Sequence, residues 1–207
     1  MHVITRSILV VCLVSFPSMA LAAEYSFDQS SSEIVFFLRH LKAIPAEGSF
    51  KEFSGSFNFD LQTIEDSNAK LVIDADSLDS SNPLRDAQLR SRRYFWTSKY
   101  PSISFVSTAF GNLHGSRFLI YGELTIKDRT QAVVFDTEIL TPIAEISPEK
   151  PLRFRTEASI RRSDFDLGGE RWYDPISSLT GETLKIRLEV GGTPTAQNHP
   201  TGSNPEI

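Results

Sequence analysis

The chain of 207 residues is poor in cysteine, tryptophan and methionine, with one Cys (Cys12), two Trp and two Met. A single cysteine can close no internal disulfide and build no cysteine-based zinc site. Cationic residues do not dominate: 21 Lys and Arg stand against 26 Asp and Glu, a formal net charge of −5. That balance argues against a nucleic-acid partner, which usually meets a basic face. No apolar run approaches the roughly 20 residues of a membrane-spanning helix. No G-x-S-x-G elbow, Walker loop, G-x-G-x-x-G or H-E-x-x-H is present. The four histidines, His2, His40, His114 and His199, are not at metal-ligand spacing. What is abundant is phenylalanine, with 15 Phe against 5 Tyr. A charged fraction of 23% and this length suit one ordinary globular domain, or at most two small ones.

Residues 1–22 read as a secretory signal peptide. Arg6 precedes the apolar run Ile8–Phe16, Pro17 breaks it, and Ala20-Leu21-Ala22 fits small-x-small cleavage. Cleavage leaves an exported chain without cysteine, which can fold in an oxidising compartment without thiol chemistry. Residues 191–207 are rich in Gly, Pro and polar side chains and read as a flexible tail. The expected domain is therefore 23–190.

Within it the dominant signal is alternation with period two, the mark of half-buried strands. The apolar faces are carried by Ile34/Phe36/Leu38/His40, Phe53/Gly55/Phe57/Phe59, Leu71/Ile73/Ala75, Ile103/Phe105, Phe118/Ile120/Leu124/Ile126, Val133/Phe135/Ile139, Leu152/Phe154/Ala158/Ile160 and Leu184/Ile186/Leu188/Val190. Eight such runs with polar connections predict an all-β fold, a closed antiparallel barrel or a sandwich. Gly55 and Gly122 inside runs mark bulges or bends. One short helix is expected at 83–90, with Asn82 as N-cap, Pro83 at the first position and an Asp86–Arg90 pair on its surface. The loop from Asp164 to Gly181 is long enough to be functional.

Ionisable clusters are few. Asp74 and Asp76 alternate as on a solvated face. The run from Arg85 to Lys99 holds Arg85, Arg90, Arg92, Arg93 and Lys99 against Asp86. It reads as a solvated helix, with contact to a phosphate or an anionic lipid surface as the alternative. The phenylalanines fall on alternating strand positions. They either pack a core or wall an apolar tunnel, and an eight-stranded barrel accommodates both. An apolar lumen takes an apolar ligand, because unpaired buried polar groups are costly.

Several blocks resemble the YceI-like polyisoprenoid-binding family. They are Tyr25-Ser-Phe-Asp28 with Ser32-Glu-Ile-Val-Phe36, Gly48-Ser-Phe-Lys-Glu-Phe-Ser-Gly55, and Asn82-x-x-Arg85-Asp86-x-x-Leu89-Arg90-Ser91 with Tyr94-Phe95. Tyr100-Pro101-x-Ile103-x-Phe105-x-Ser107, Gly122-Glu-Leu-Thr-Ile126 and Arg162-Ser-Asp-Phe165 complete them. His40 matches the His that closes the family's first strand. The sequence departs from the family pattern at Gln88, Trp96, Asp128-Arg129 and the stretch Gly169–Asp174. The resemblance implies a lipocalin-like eight-stranded antiparallel barrel with one short helix between strands three and four. It implies export to the periplasm and a long isoprenoid chain, a polyprenyl quinone or polyprenyl phosphate, as ligand.

Alternation together with that resemblance gives the expected ligand contacts: Phe36, Leu38, His40, Phe53, Phe57, Phe59, Arg90, Ile103, Phe105, Phe118, Ile120 and Phe154. His40 and Arg90 are the polar ones, expected at a head group. No catalytic residue, metal or cofactor is expected beyond the bound lipid or quinone. Expected partners are that apolar ligand, a transient membrane surface and a second copy of the chain. An enzyme acting on a bound apolar substrate, and a ligand-free envelope stress protein, are the competing readings.

Overall fold

The computed structural model describes residues 23–40, 46–168 and 180–195, without the side chains of 38–40, 46 and 180. The expected signal segment 1–22, most of the long loop and residues 196–207 lie outside the described residues. Ten strand segments and one helix follow in chain order: β1 (Ala23–His40), β2 (Ala46–Phe50), β3 (Phe53–Phe59), β4 (Asn68–Asp74), β5 (Leu78–Asp79), α1 (Pro83–Arg90), β6 (Ser102–His114), β7 (Arg117–Ile126), β8 (Arg129–Ile139), β9 (Leu152–Arg161) and β10 (Thr180–Pro194). All pairings are antiparallel and β10 returns to pair with β1, which closes the sheet. β2 and β3 form one stave interrupted at Lys51-Glu52, and β4 and β5 another interrupted by a 3₁₀ turn at Ala75–Ser77. The result is the expected closed barrel of eight antiparallel staves with one helix.

Alternation puts every second side chain inside, but two strands switch parity along their length. In β1, Tyr25 is buried by one face, while Ile34 and Phe36 are buried after a register shift between Asp28 and Glu33. The Asp28 carboxylate makes that bend by accepting from the Ser30 N–H at 2.9 Å and from the Ser30 and Ser31 hydroxyls. The first half of β1 then pairs with β3 and the second with β2. In β6 a shift between Ser107 and Ala109 moves the inward face from Ile103 and Phe105 to Phe110. Gly122 sits opposite Ser107 at that bulge, and a Cβ there would overlap the Phe105 ring. Gly55, at φ 143°, is in a conformation open to glycine, and a side chain would strike the Lys70 carbonyl.

The helix forms where the capping signal lies. The Asn82 side chain accepts from the N–H groups of Leu84 and Arg85, each at 3.1 Å. The expected Asp86–Arg90 pair does not form. Asp86 instead accepts from the Ser80 N–H at 2.9 Å and from its hydroxyl, while Arg90 turns to the carbonyls of Asp76 and Leu78 and pairs with the Asp76 carboxylate at 3.3 Å. These bonds seat the helix on β5.

A second correction concerns the tail. β10 continues through Gly191, Gly192, Thr193 and Pro194, which pair with Asp28, Phe27, Ser26 and Tyr25. The two glycines are not a chain break. The Phe57 ring lies where a Cβ of Gly192 would be, and the Ser31 side chain where that of Gly191 would be.

The barrel has two dissimilar ends. At the hairpin end lie the β6–β7 turn at Gly115, the end of β3 and the start of β9. At the helix end lie α1, the β7–β8 turn at Lys127-Asp128 and a 3₁₀ turn at Arg162–Phe165. The wall also changes between them. β8 and β9 are laddered only over Asp136–Ile139 with Phe154–Glu157. Both strands run on towards the helix end, β8 bonded to β7 and β9 to β10, without bonding each other.

Candidate ligand lumen

Inside the barrel runs a cavity in which the centre of a water molecule has about 110 Å³ to move. That is several times the roughly 10–15 Å³ that admits one water. Counted as all space between the wall atoms, including the part open to solvent, it is about 1080 Å³. The surface it presents is wholly apolar. Eleven phenylalanines line it, together with aliphatic residues of β1, β4, β6, β7 and β10.

The phenylalanines form two groups. At the hairpin end Phe59, Phe110, Phe118 and Phe154, from four strands, interlock with centroid separations of 5.1 to 5.9 Å. Tyr25 stacks on Phe57 at 5.0 Å beside them, and its hydroxyl donates to the Ser147 carbonyl at 3.2 Å. Burial raises the phenol pKa above its ordinary value. At the helix end Phe36, Phe50 and Phe95 meet edge to face or tilted, at 5.5 to 6.0 Å. Phe105 and Phe135 pair between the two groups at 5.1 Å.

Phe95 does not come from a strand. It sits in the segment 91–101 after α1, held inward by its N–H on the Leu89 carbonyl at 2.9 Å. The next residue, Trp96, takes φ 49°, an uncommon conformation for a bulky side chain. This reverses the chain so that Phe95 faces the lumen while Trp96 faces out, under the Arg92 guanidinium at 4.9 Å and the Lys99 ammonium at 4.6 Å. Thr97 fastens the segment by donating to the Asp76 carboxylate at 2.9 Å.

Thr137 and Thr156 are the buried polar side chains of the lining. They face each other across the β8–β9 ladder, and their hydroxyls bond at 2.8 Å. Each thus satisfies the other and leaves carbon towards the lumen. Charges lie outside. Arg155 bonds Glu189 at 2.8 Å and Arg187 bonds Glu157 at 2.8 Å on the outer face. Such exposed pairs are worth at most about 1 kcal/mol each. Among the described residues no group of His, Cys, Asp and Glu is placed to hold a metal ion, and no helix is long and apolar enough to cross a membrane.

Of the twelve expected contacts, the structure brings Phe36, Phe57, Phe59, Ile103, Phe105, Phe118, Ile120 and Phe154 to the cavity wall. Phe53 is buried on the same strand face as Phe57, yet does not reach the wall. Arg90 is occupied by the carbonyls of Asp76 and Leu78 and stands outside the lumen. The side chains of Leu38 and His40 lie outside the described residues. Sequence reasoning missed Phe27, Phe50, Phe95 and Phe110, which also line the wall. Phe27 and Phe110 sit on the far side of the two bulges, where parity switches. Phe50 is in a strand of five residues, and Phe95 is in a loop without periodicity. The Phe50 and Phe95 signal was present only as part of the family blocks.

Comparison with known families decides the kinship, since residues 25–191 match the YceI-like domain. The chain belongs to the YceI-like family. The UPF0312 protein plu2095 of Photorhabdus laumondii is 37% identical over 72% of this chain and 79% of its own length. Protein YceI of Escherichia coli O157:H7 is 30% identical over 80% of this chain and 90% of its own. Among solved structures, Burkholderia cenocepacia BcnA is similar at TM-score 0.72 and 26% identity, covering 81% of this chain and 99% of that one. A polyisoprenoid binding domain from Saccharophagus degradans, implicated in plant cell wall breakdown, shares the fold at TM-score 0.63 and 17% identity, covering 84% of this chain and all of that one.

Proposed function

We propose that the protein is an exported carrier that holds a long isoprenoid chain in its lumen. The observation that carries this reading is the wholly apolar cavity surface inside a closed barrel. Enclosing a hydrocarbon chain there removes apolar surface from water at about 25 cal/mol per Å². A charged phosphate could not be desolvated against such a wall without a large penalty. A polyprenyl phosphate would therefore thread its chain inward and leave its head group outside, whereas a polyprenyl quinone could place its ring at the opening. The polyisoprenoid binding of the Saccharophagus degradans domain supports the same class. The lining side chains supply no ionisable group among the described residues, which suits binding better than acid–base chemistry.

Export to the periplasm rests on the signal pattern of residues 1–22. The helix end is the natural face for a membrane contact: Leu84 is 85% exposed there, on the helix that carries Arg85 and is followed in the chain by Arg92 and Lys99. Titration with a polyprenyl quinone and with a polyprenol of equal chain length, followed by isothermal titration calorimetry, tests the reading. Saturable binding of both is expected. Failure of both to bind would refute it.

A further inference from the structure

We infer that the unladdered part of the β8–β9 seam is a side portal through which an apolar chain enters and leaves the lumen. The inference rests on the carrier reading above and adds a route to it. Beyond the last ladder pair, Asp136 with Glu157, the next register positions would be Phe135 with Ala158 and Val134 with Ser159. These residues belong to continuous strands, yet the two strands do not bond there. The gap is closed at both ends. Below it stands the Thr137–Thr156 hydroxyl bond. Above it Lys127 donates to the Asp166 carbonyl and Gln131 to the Asp164 carbonyl, carrying the 3₁₀ turn across from β9 to β8.

Two observations join this gap to the cavity. An outer groove, about 620 Å³ counted as all space between its atoms, lies over it, bordered by Val134, Ala158 and Ser159 and by the charged Asp136, Glu157, Lys185 and Arg187. Ile186 lines both that groove and the lumen. Ile186 is also the inward residue of β10 that is only half-buried, whereas Leu184 and Leu188 on the same face are 6% exposed. Its partner across the β10–β9 ladder is Ala158, the smallest side chain on the inward face of β9. A small residue beside an unbonded edge leaves room where a larger one would seal the wall.

A barrel wall normally excludes a side route because each stave is bonded to both neighbours. Here the main-chain groups at the gap are already free of each other, so parting the strands further breaks few bonds. A chain that entered at the hairpin end would meet the interlocked Phe59, Phe110, Phe118 and Phe154, and one that entered at the helix end would meet Phe95, whose segment is held by its own bonds.

The test is a crosslink at each route in the full-length protein. Val134→Cys with Ser159→Cys places two outward thiols across the gap, away from the lumen. These are joined by oxidation, or by a short bismaleimide where the thiols stand too far apart for a disulfide. Asp76→Cys with Thr97→Cys locks the Phe95 segment. Release of a dansyl-labelled farnesyl chain into phosphatidylcholine vesicles is then timed. The gap crosslink, verified by mass spectrometry, is expected to slow release at least tenfold, with the bound fraction at equilibrium unchanged. The segment crosslink is expected to change release by less than twofold. Release at the uncrosslinked rate across the gap, or equal slowing by both locks, overturns the side portal. Failure of the unmodified protein to take up the chain overturns the carrier reading with it, and is told apart by that result.

Discussion

At the hairpin end, Phe59, Phe110, Phe118 and Phe154 interlock across four strands, and β8 and β9 are laddered beside them. At the helix end, three rings meet at similar separations, but one of them, Phe95, comes from a loop, and the seam between the same two strands lies unbonded. The first end is closed by carbon packing, which no single opening relieves. The second is closed by side-chain bonds from Arg90, Thr97, Lys127 and Gln131, each worth about 1–3 kcal/mol net. Bonds of that size break locally without unfolding the domain. The difference teaches where a closed barrel can admit a ligand, which is at the half whose closure rests on polar contacts.

The largest expected effect breaks the sealed half. Phe118→Ala removes a ring that is 2% exposed and touches three others. It should cost about 3–5 kcal/mol in urea unfolding. Phe95→Ala at the helix end should cost roughly half of that or less in the same measurement, since its segment can settle, and should leave the rate of ligand release within about twofold. Equal stability losses would erase the contrast. Next in size, Thr156→Val alone strands the buried Thr137 hydroxyl and should cost about 1–3 kcal/mol, whereas Thr137→Val with Thr156→Val should be nearly neutral in thermal melts. A double variant as unstable as the single one would show that the pair is not self-contained. Asn82→Ala removes the helix cap and should cost about 0.5–2 kcal/mol by the same melts.

The smallest effect is electrostatic. The N–H of Gln62 and then the hydroxyl and N–H of Thr63 hold the Asp60 carboxyl below the ordinary carboxylate range, against the opposing effect of burial. A lowered folded-state pKa contributes stability that is present above the ordinary value and lost as pH falls through the lowered one. Asp60→Asn should flatten that acid limb slightly and leave stability near neutrality little changed. A pH-stability curve of unaltered slope would remove Asp60 from the account.

Much of this architecture was legible in the residues. Alternation located the apolar faces of all eight staves, and Asn82-Pro83 located the helix, because each signal is local. What stayed hidden depends on contacts between distant segments. Nothing near Ser107 announces that β6 bulges opposite Gly122, so Phe110 fell on the apparent outer face. Gly191-Gly192 reads as a flexible start to a tail until the Phe57 ring and Ser31 are seen against it. Arg90 looked free for a head group because its partners, the carbonyls of Asp76 and Leu78, belong to a preceding turn. The lumen wall was readable where strands run straight and unreadable past each bulge.

The central claim is that the lumen is occupied by an isoprenoid chain in the cell. Protein purified under native conditions from the cells that make it, extracted with organic solvent and analysed by mass spectrometry, tests that most directly. The account predicts a polyprenyl lipid recovered in near-stoichiometric amount, with recovery reduced by Phe57→Trp or Phe118→Trp at unchanged folding. Extracts with no lipid above those of an unrelated exported protein would contradict it.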